Sequence, residues 1–569
     1  MSRSSLFFLL PFFALLSLCC SAHAQLRIEI DGAPDFIAEN IRNHIGTISD
    51  IERERPRLLR KKLIDSIRDA TQALGYYEST FHHQLKDNTL QITLDLGPAV
   101  AWAPPQIELI GTVATLKQAK KKAQNPPFIA GTTINHATYE TFKRELLEAC
   151  QQNGYLDAHY AESRLLIDIE QHRATPMLKI DGGERYRFGA VEFSGSQLDS
   201  ALLQRLSPIE PGGFYDKTAL TKLQRNLQDS RYFREIDVQS NKRDDHTVAL
   251  AVHLADAPRH QFSVGAGYGT DTGPRAKFRW ERPLVNTQGH KLRTDLSVSQ
   301  SLQDLDFEYH IPLKKPLDES LNLTTSWEHK SVQDTDSTTG SVGFFFSDRY
   351  AQVWVVNYGA TYYDESYRQG SEPRKHAGYL APDINLTQVV LPVGIDPKAG
   401  RKFWVDTLGS APALGADTYF LRVDGGYKQI FNTFGDQLFI GRIEGGIIAT
   451  RDIDLIPSSQ RFFTGGDQTV RGYDFESLST EDSNGKLIGG RYLNVASAEY
   501  SIKIAERWRT AVFTDTGRAF NQGDETWHKS VGAGVRWLSP VGQIRVDLAF
   551  PVNDAVKGWR LHIFIGPPL

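Results

Sequence analysis

Cysteine and methionine are nearly missing, at three and two in 569 residues. Two of the cysteines, Cys19 and Cys20, lie in a stretch that reads as a secretory signal peptide over residues 1–24. Arg3 precedes an apolar run from Leu6 to Leu18, and Ala22-His23-Ala24 offers a small-x-small cleavage site before Gln25. Leu18, directly before Cys19, is too bulky for a lipoprotein signal. Only Cys150 is then left, so no internal disulfide can form and stability must come from packing and strand closure. Cys150 itself reads as a small buried residue on a helix. Beyond the signal no run of eighteen apolar residues occurs, which predicts no membrane-spanning helix. A mean hydropathy of -0.37 still allows a membrane barrel, whose strands alternate apolar and polar residues. Neither sign of charge dominates: 64 basic against 68 acidic residues gives a net charge of -4, so no basic field exists to gather nucleic acid.

Catalytic patterns are missing too. There is no Gly-x-Ser-x-Gly elbow and no Cys/His metal spacing. His82 and His83 are neighbours on a predicted strand and point to opposite faces. Gly265, Gly267 and Gly269, like Gly532 and Gly534, never extend to the full dinucleotide-binding pattern with its following helix. The expectation is a protein that is not an enzyme and carries no cofactor or metal.

What is present is an internal repeat. Ile28-Glu29-Ile30-Asp31-Gly32, Ile107-Glu108-Leu109-Ile110-Gly111 and Val191-Glu192-Phe193-Ser194-Gly195 open alike, each a short strand ending at a turn glycine. Helical stretches follow, clearest at Arg57 to Leu74, Tyr139 to Asn153 and Lys217 to Arg231. They stop at Gly75-Tyr76-Tyr77, Gly154-Tyr155-Leu156 and Arg231-Tyr232-Phe233, the third copy lacking the glycine that releases a helix into a left-handed residue. Closing strands follow at Leu90 to Leu94, Met177 to Ile180 and Val248 to Val252. Each unit reads β-α-α-β-β, over 25–102, 103–185 and 186–258. Exposed strand edges in such modules can accept a strand from a partner. Lys117, Lys120, Lys121 and Lys122 form a cationic cluster in the second unit, a solvated helix face or a contact for anionic lipid or an acidic partner.

From 259 to 569 helical periodicity gives way to short alternating segments such as His260 to Tyr268, Leu292 to Val298 and Ala351 to Val355. Turn-rich stretches, Gln333 to Gly340 and Thr480 to Gly485 among them, separate the segments. At roughly nine to eleven residues per tilted strand plus turns, this length permits about twelve to eighteen strands of a closed barrel. Closure is obligatory in hydrocarbon, which offers a free strand edge no partner. Trp280, Tyr350, Trp354, Tyr362, Tyr363 and Trp559 are candidates for interfacial belts. The final segment, Gly558 to Ile565, alternates as a last strand and then meets Pro567 and Pro568, which cannot extend a ladder.

Within this region lies Arg461-Phe462-Phe463-Thr464-Gly465-Gly466-Asp467-Gln468-Thr469-Val470-Arg471-Gly472-Tyr473, with Phe513-Thr514-Asp515-Thr516-Gly517 downstream. The pair resembles the loop-and-strand lock of the BamA/TamA superfamily of outer-membrane proteins, and the repeats resemble the POTRA domains of the same superfamily. That resemblance implies a barrel of sixteen antiparallel strands in the cell outer membrane of a Gram-negative bacterium, with the repeats in the periplasm. It implies that the loop carrying Val470, Arg471, Gly472 and Tyr473 enters the lumen, turning at Gly465 and Gly466. Arg471 would meet Asp515 of the Phe513-x-Asp515-x-Gly517 motif, with Glu499 as a second acceptor. It also implies a seam between first and last strands, for which Gly265, Gly267, Gly269 and Gly558 are candidates. Three repeats on a chain of this length resemble the TamA branch. The implied function is assembly or translocation of outer-membrane proteins, autotransporters among them. Implied partners are a TamB-like inner-membrane-anchored protein met through the N-terminal repeats, unfolded outer-membrane clients and outer-membrane lipids. A dedicated two-partner-type secretion pore and a passive channel or receptor are the alternatives.

Overall fold

The computed structural model describes residues 26–86, 88–392, 396–523, 526–539, 542–552 and 558–565. The expected signal peptide, with Cys19 and Cys20, and the terminal Gly566-Pro567-Pro568-Leu569 lie outside the described residues. Two compact units emerge. One runs to Gly189 and takes in Pro211–Thr218 and Lys242–Val248; the other holds the remainder of the third repeat and the barrel.

In the first repeat the opening strand Arg27–Asp31 pairs in parallel with Thr89–Asp95, the closing strand, which thereby sits at the centre of a three-stranded sheet beside Thr80–Lys86. The strict alternation of the closing strand sends Leu90, Ile92 and Leu94 inward against Ile37 and Ile41 of helix Asp35–Ile45 and Leu63 and Ile67 of helix Pro56–Gln72. The second repeat is built alike: Gln106–Ile110 runs parallel to Arg173–Asp181, and His159–Asp168 pairs antiparallel on the other side. Cys150, on helix His136–Gln152, is fully buried among Phe128, Phe142 and Leu146, and burial pushes its thiol up to about 11. On helix Lys117–Gln124, Lys122 binds Glu145 at 2.7 Å. The third repeat orders its strands Arg187–Ser194, Thr247–Asp256, Phe233–Lys242.

Two backbone positions explain the repeat signature. Gly32 and Gly195 have φ of +90° and +84°, and a Cβ there would lie 2.0 Å from the Leu94 carbonyl oxygen and 2.3 Å from that of Leu254. Only glycine lets the opening strand turn that close to the closing one. At the helix ends Gly75 and Gly154 are left-handed as expected, and in the third copy Arg231 takes the same conformation, φ +56°. The missing glycine therefore does not change the shape of that helix end; a non-glycine residue carries the strain. Between the second and third repeats the Tyr186 hydroxyl donates to Asp157 at 2.7 Å and the Lys242 ammonium binds the same carboxylate.

The barrel is one sheet of sixteen antiparallel strands, each hydrogen-bonded to its sequence neighbours, from Gln261–Gly269 to Arg560–Ile565. Among the described residues no ladder joins the first strand to the last. Large apolar side chains of the strands face outward and are exposed, among them Phe262, Val264, Phe344, Tyr358 and Ile384. A sheet that turns one face of alternating apolar residues away from its own interior is built for an apolar surrounding. The third repeat docks on this unit: Tyr232 donates its hydroxyl to the Gly289 carbonyl at 2.7 Å, and Lys291 donates to that of Ser230 at 2.7 Å.

Several local expectations are corrected. Ala351 and Gln352 are left-handed hairpin-turn residues, φ +47° and +60°, and the strand begins at Trp354. Of Gln333 to Gly340 only Gln333, left-handed at φ +51°, and Asp334 form the turn; the sixth strand, Thr335–Tyr350, starts directly after them. Thr480 to Gly485 is not a simple turn between barrel strands but the turn at the tip of a bridge inside a long loop spanning 451–491. Tyr363 joins no belt: it faces the lumen, stacked on Tyr379 with ring centroids 5.3 Å apart. Gly558 precedes the last strand, with no described atom within 4 Å of its Cβ position.

Candidate functional site

The loop 451–491 connects the eleventh strand, Gln437–Thr450, to the twelfth, Tyr492–Ala505, and folds into the lumen. Bridges Phe462 to Gly490, Thr464 to Leu478 and Glu481 to Leu487 make it an irregular hairpin. Its near end is fixed to the seventh strand, Trp354–Gln369. There the fully buried Glu365 accepts hydrogen bonds from Ser458 Oγ (2.7 Å) and from the amide (3.1 Å) and Oγ (2.5 Å) of Ser459. Arg461 is internal to the loop, donating to the carbonyls of Ile456, Ile488 and Asp454 at 2.8, 2.9 and 3.0 Å. A buried guanidinium saturated by backbone oxygens holds an irregular segment in one shape. Phe462, Tyr379, Phe420 and Ile448 close an apolar cluster against this end.

Gly465, Gly466 and Gly472 carry φ of +104°, +105° and +96°. At Gly465 a Cβ would meet the Asp474 carbonyl oxygen at 2.5 Å, so the tight turn expected there is enforced by contact as well as by dihedral. The turn delivers the four motif residues to separate seats. Val470 is fully buried, 2.8 Å from where a Gly517 Cβ would be. The Gly472 amide donates to His562 Nε2 at 2.9 Å, and the Tyr473 hydroxyl to the Lys529 carbonyl at 3.2 Å.

Arg471 makes the central contact. Nε and Nη2 grip both oxygens of Asp515 at 2.8 and 2.9 Å, and the Arg471 amide donates to the same carboxylate at 3.1 Å. Nη1 reaches Glu499 at 2.8 Å and Asp547 at 3.0 Å, and the guanidinium carbon lies 3.4 Å from the centre of the Phe513 ring. Planar, forked and always charged, arginine suits a site that asks for a bidentate carboxylate below and an aromatic face behind. The sequence pairing of Arg471 with Asp515, and with Glu499 as second acceptor, is therefore realised.

Sequence reasoning missed the rest of the network. Arg536, on the fourteenth strand His528–Ser539, binds Glu499 at 3.2 and 2.9 Å and grips Asp547 of the fifteenth strand, Gly542–Pro551. Arg536 and Arg545 stand directly opposite in the ladder, an unfavourable like-charge pair unless carboxylates lie between. Their signal was available: Arg536, Arg545 and Asp547 are charged residues at the inward parity of strands whose other face is Val, Leu and Phe. The glycines gain a reason as well. A Cβ at Gly534 would sit 1.9 Å from Asp547 Oδ1, and one at Gly532 2.2 Å from the Phe513 ring. They clear room for the charge network and its ring, rather than merely softening the strand. Gly265, Gly267 and Gly269 do lie on the first strand, on its lumen face.

Arg471 carries the loop's charge into this arrangement, and Arg536 braces the Glu499 and Asp547 carboxylates that receive it. No cluster of three or more His, Cys, Asp and Glu suited to a metal occurs among the described residues. A buried ionic knot thus ties the lumen loop to four consecutive strands, the twelfth to the fifteenth.

A family model described as the Omp85 superfamily domain matches residues 260–566, more than half of the chain. A model described as POTRA domain, TamA domain 1, matches 27–98, and one described as surface antigen variable number repeat, a POTRA model, matches 186–255. Among curated proteins the chain is similar to an outer membrane protein assembly factor BamA of Nitratidesulfovibrio vulgaris, 23% identical over 71% of this chain and 54% of that one. It is also similar to a protein of the same description in Neorickettsia risticii, 21% identical over 74% of this chain and 59% of that one. The chain thus spans little more than half the length of these relatives. Among solved structures, BamA from Haemophilus ducreyi lacking POTRA domains 1-3 superposes with a TM-score of 0.69 at 15% identity, over 81% of this chain and 99% of that one.

Proposed function

The chain belongs to the Omp85 superfamily, and from that premise we propose that it is an assembly or translocation factor of the outer membrane. It acts by conformational work at the seam, without covalent chemistry. The repeats stand in the periplasm and capture partners; the barrel presents the weakly closed edge between first and last strands to lipid and to unfolded outer-membrane clients. One observation carries this reading: a saturated ionic knot around Arg471 stabilises the lumen loop beside the first and last strands, which share no ladder among the described residues. A passive channel needs neither the knot beside an open edge nor an array of periplasmic modules.

More narrowly, the chain is of the TamA type, working with a TamB-like inner-membrane-anchored partner on clients such as autotransporters. The match of residues 27–98 to a TamA-type first repeat supports this. So does the first repeat itself, whose opening strand Arg27–Asp31 is an edge of its sheet, beside a cleft of about 850 Å³ lined by Leu26, Ile28, Arg42, Thr47 and Arg53. A strand laid on that edge gains backbone hydrogen bonds.

A photo-crosslinker at the exposed Arg27, in living cells, tests the narrower reading. Capture of a large inner-membrane-anchored protein is the expected result. Capture of a single secreted polypeptide would replace it with the dedicated secretion pore.

A further inference from the structure

The seam is the weakest line of the sheet. The first strand has nine residues and the last has six, and no ladder joins them among the described residues. The lumen face of the first strand carries Gly265, Gly267 and Gly269, and at Gly269 the last strand comes close, the Ile563 carbonyl oxygen lying 3.9 Å from the Cβ position. Two devices reach across the seam. Arg275, on the second strand Gly273–Arg282, lies over Gly267, where a Cβ would meet its Nε at 2.9 Å. Its guanidinium carbon reaches the Phe564 ring of the last strand at 5.6 Å, and Arg545 stands by the same ring at 4.3 Å. The glycine face is thus the bed over which a neighbouring arginine crosses the gap.

The second device uses the lumen loop. Asp271 sits in the turn after the first strand, and its Oδ2 accepts the amide of Asp467 at 2.6 Å. Gly466 makes that approach possible, because a Cβ there would lie 2.5 Å from the same oxygen. Five residues on, the Gly472 amide donates to His562 Nε2, on the last strand. With Nε2 accepting, the ring proton is on Nδ1, which faces Asp271 Oδ1 at 3.5 Å. Both side chains are buried, at 3% and 6% exposure, so their polar atoms have little water to fall back on.

We propose that Asp271 and His562 are positioning residues that hold the seam shut, with the backbone of loop residues Asp467 to Gly472 as the cross-member between the first hairpin and the last strand. This deepens the assembly reading, since it rests on the seam being the place that opens. The Arg471 knot and the staple then divide the labour: the knot fixes the loop to the wall, and the loop, so fixed, spans the gap. Release of the loop frees both edges at once.

Spin labels at Tyr268→Cys and Leu561→Cys, outward residues on the two edge strands, report the gap by pulsed distance measurement on the full chain in lipid nanodiscs. With the chain starting at Gln25, Cys150 is the one native cysteine present, and its burial keeps it from competing for label. A single short distance is expected for the otherwise unchanged barrel. His562→Ala and Asp271→Ala are expected to raise the long-distance fraction about fivefold, the ratio that accompanies loss of one ordinary hydrogen bond. His562→Gln and Asp271→Asn keep an acceptor for the loop amides and are expected to restore the short distance. Asp271 is in a turn, so D271A carries the test if H562A does not reach the folded barrel. Alanine variants that keep the short distance, or amide variants that open as far as the alanines, would overturn the proposal. Client insertion is measured on the same variants. A widened seam with unchanged insertion leaves the staple standing and removes the assembly reading; an unchanged seam with impaired insertion does the reverse.

Discussion

The sixth, seventh and eighth strands and the two seam strands are parts of one sheet held by different means. The former run sixteen residues each and pair along nearly their whole length. The latter run nine and six and share no ladder among the described residues. Backbone hydrogen bonds are cooperative and indifferent to sequence, so the long wall tolerates substitution. Side-chain contacts are few and specific, so closure at the seam depends on individual residues. The loop touches both regions, through Glu365 on the wall and through Asp271 and His562 at the seam, and Arg471 lies between these attachments.

The contrast can be broken most severely at Arg471. Arg471→Ala leaves Asp515, Glu499 and Asp547 without one shared cation in a buried site, and is expected to cost about 3–5 kcal/mol. The check is urea unfolding, followed by the heat-modifiable mobility of the barrel. Gly534→Ala should come next, at about 1–3 kcal/mol, because the added methyl overlaps Asp547 and must push the knot apart. The same assay reads it, and Ala at Gly441, whose Cβ position is 3.5 Å from the nearest atom, is the neutral control.

On the wall side, Glu365→Gln exchanges one acceptor oxygen for a donor facing Ser458 and Ser459 and is expected to cost about 1 kcal/mol. It should leave the seam distance unchanged; a widened seam in E365Q would erase the distinction between the two regions. The smallest effect belongs outside the barrel. Lys242 and then Tyr186 hold the Asp157 carboxyl below its usual range. A depressed folded value means the contribution is complete above the unfolded value of 3.8 and is lost as pH falls through the folded one. Asp157→Asn should therefore shrink the fall in thermal midpoint of the repeats between about pH 5 and about pH 3, with barrel mobility untouched. Calorimetry of the full chain measures it.

Much of this was legible in the chain. Gly32 and Gly195 mark the repeats because a carbonyl oxygen occupies the space of a side chain, and that constraint surfaces as a residue type. Arg471, Asp515 and Glu499 were legible through their motif, which is local in sequence. Arg536 and Asp547 showed only as charges at an inward parity, and their pairing, like that of Asp271 and His562 with the loop, was not legible, because ladder register across four strands and the bend of the loop are not written in any one segment. Ala351 and Gln352 escaped for the opposite reason: left-handed residues other than glycine carry no mark, and the hairpin geometry imposes the conformation from outside. Arg231 is the same lesson in the repeats.

The three carboxylates that Arg471 binds all follow it along the chain, at 499, 515 and 547, and so does His562. During synthesis and threading the arginine therefore arrives before any of them. The knot completes strand by strand, and the last strand to arrive also supplies the histidine that receives the loop. A barrel interrupted early holds an unsatisfied cation and a loose loop, a marked and destabilised species. By the order of residues along the chain, the loop's full set of contacts exists only once the final strand is in place.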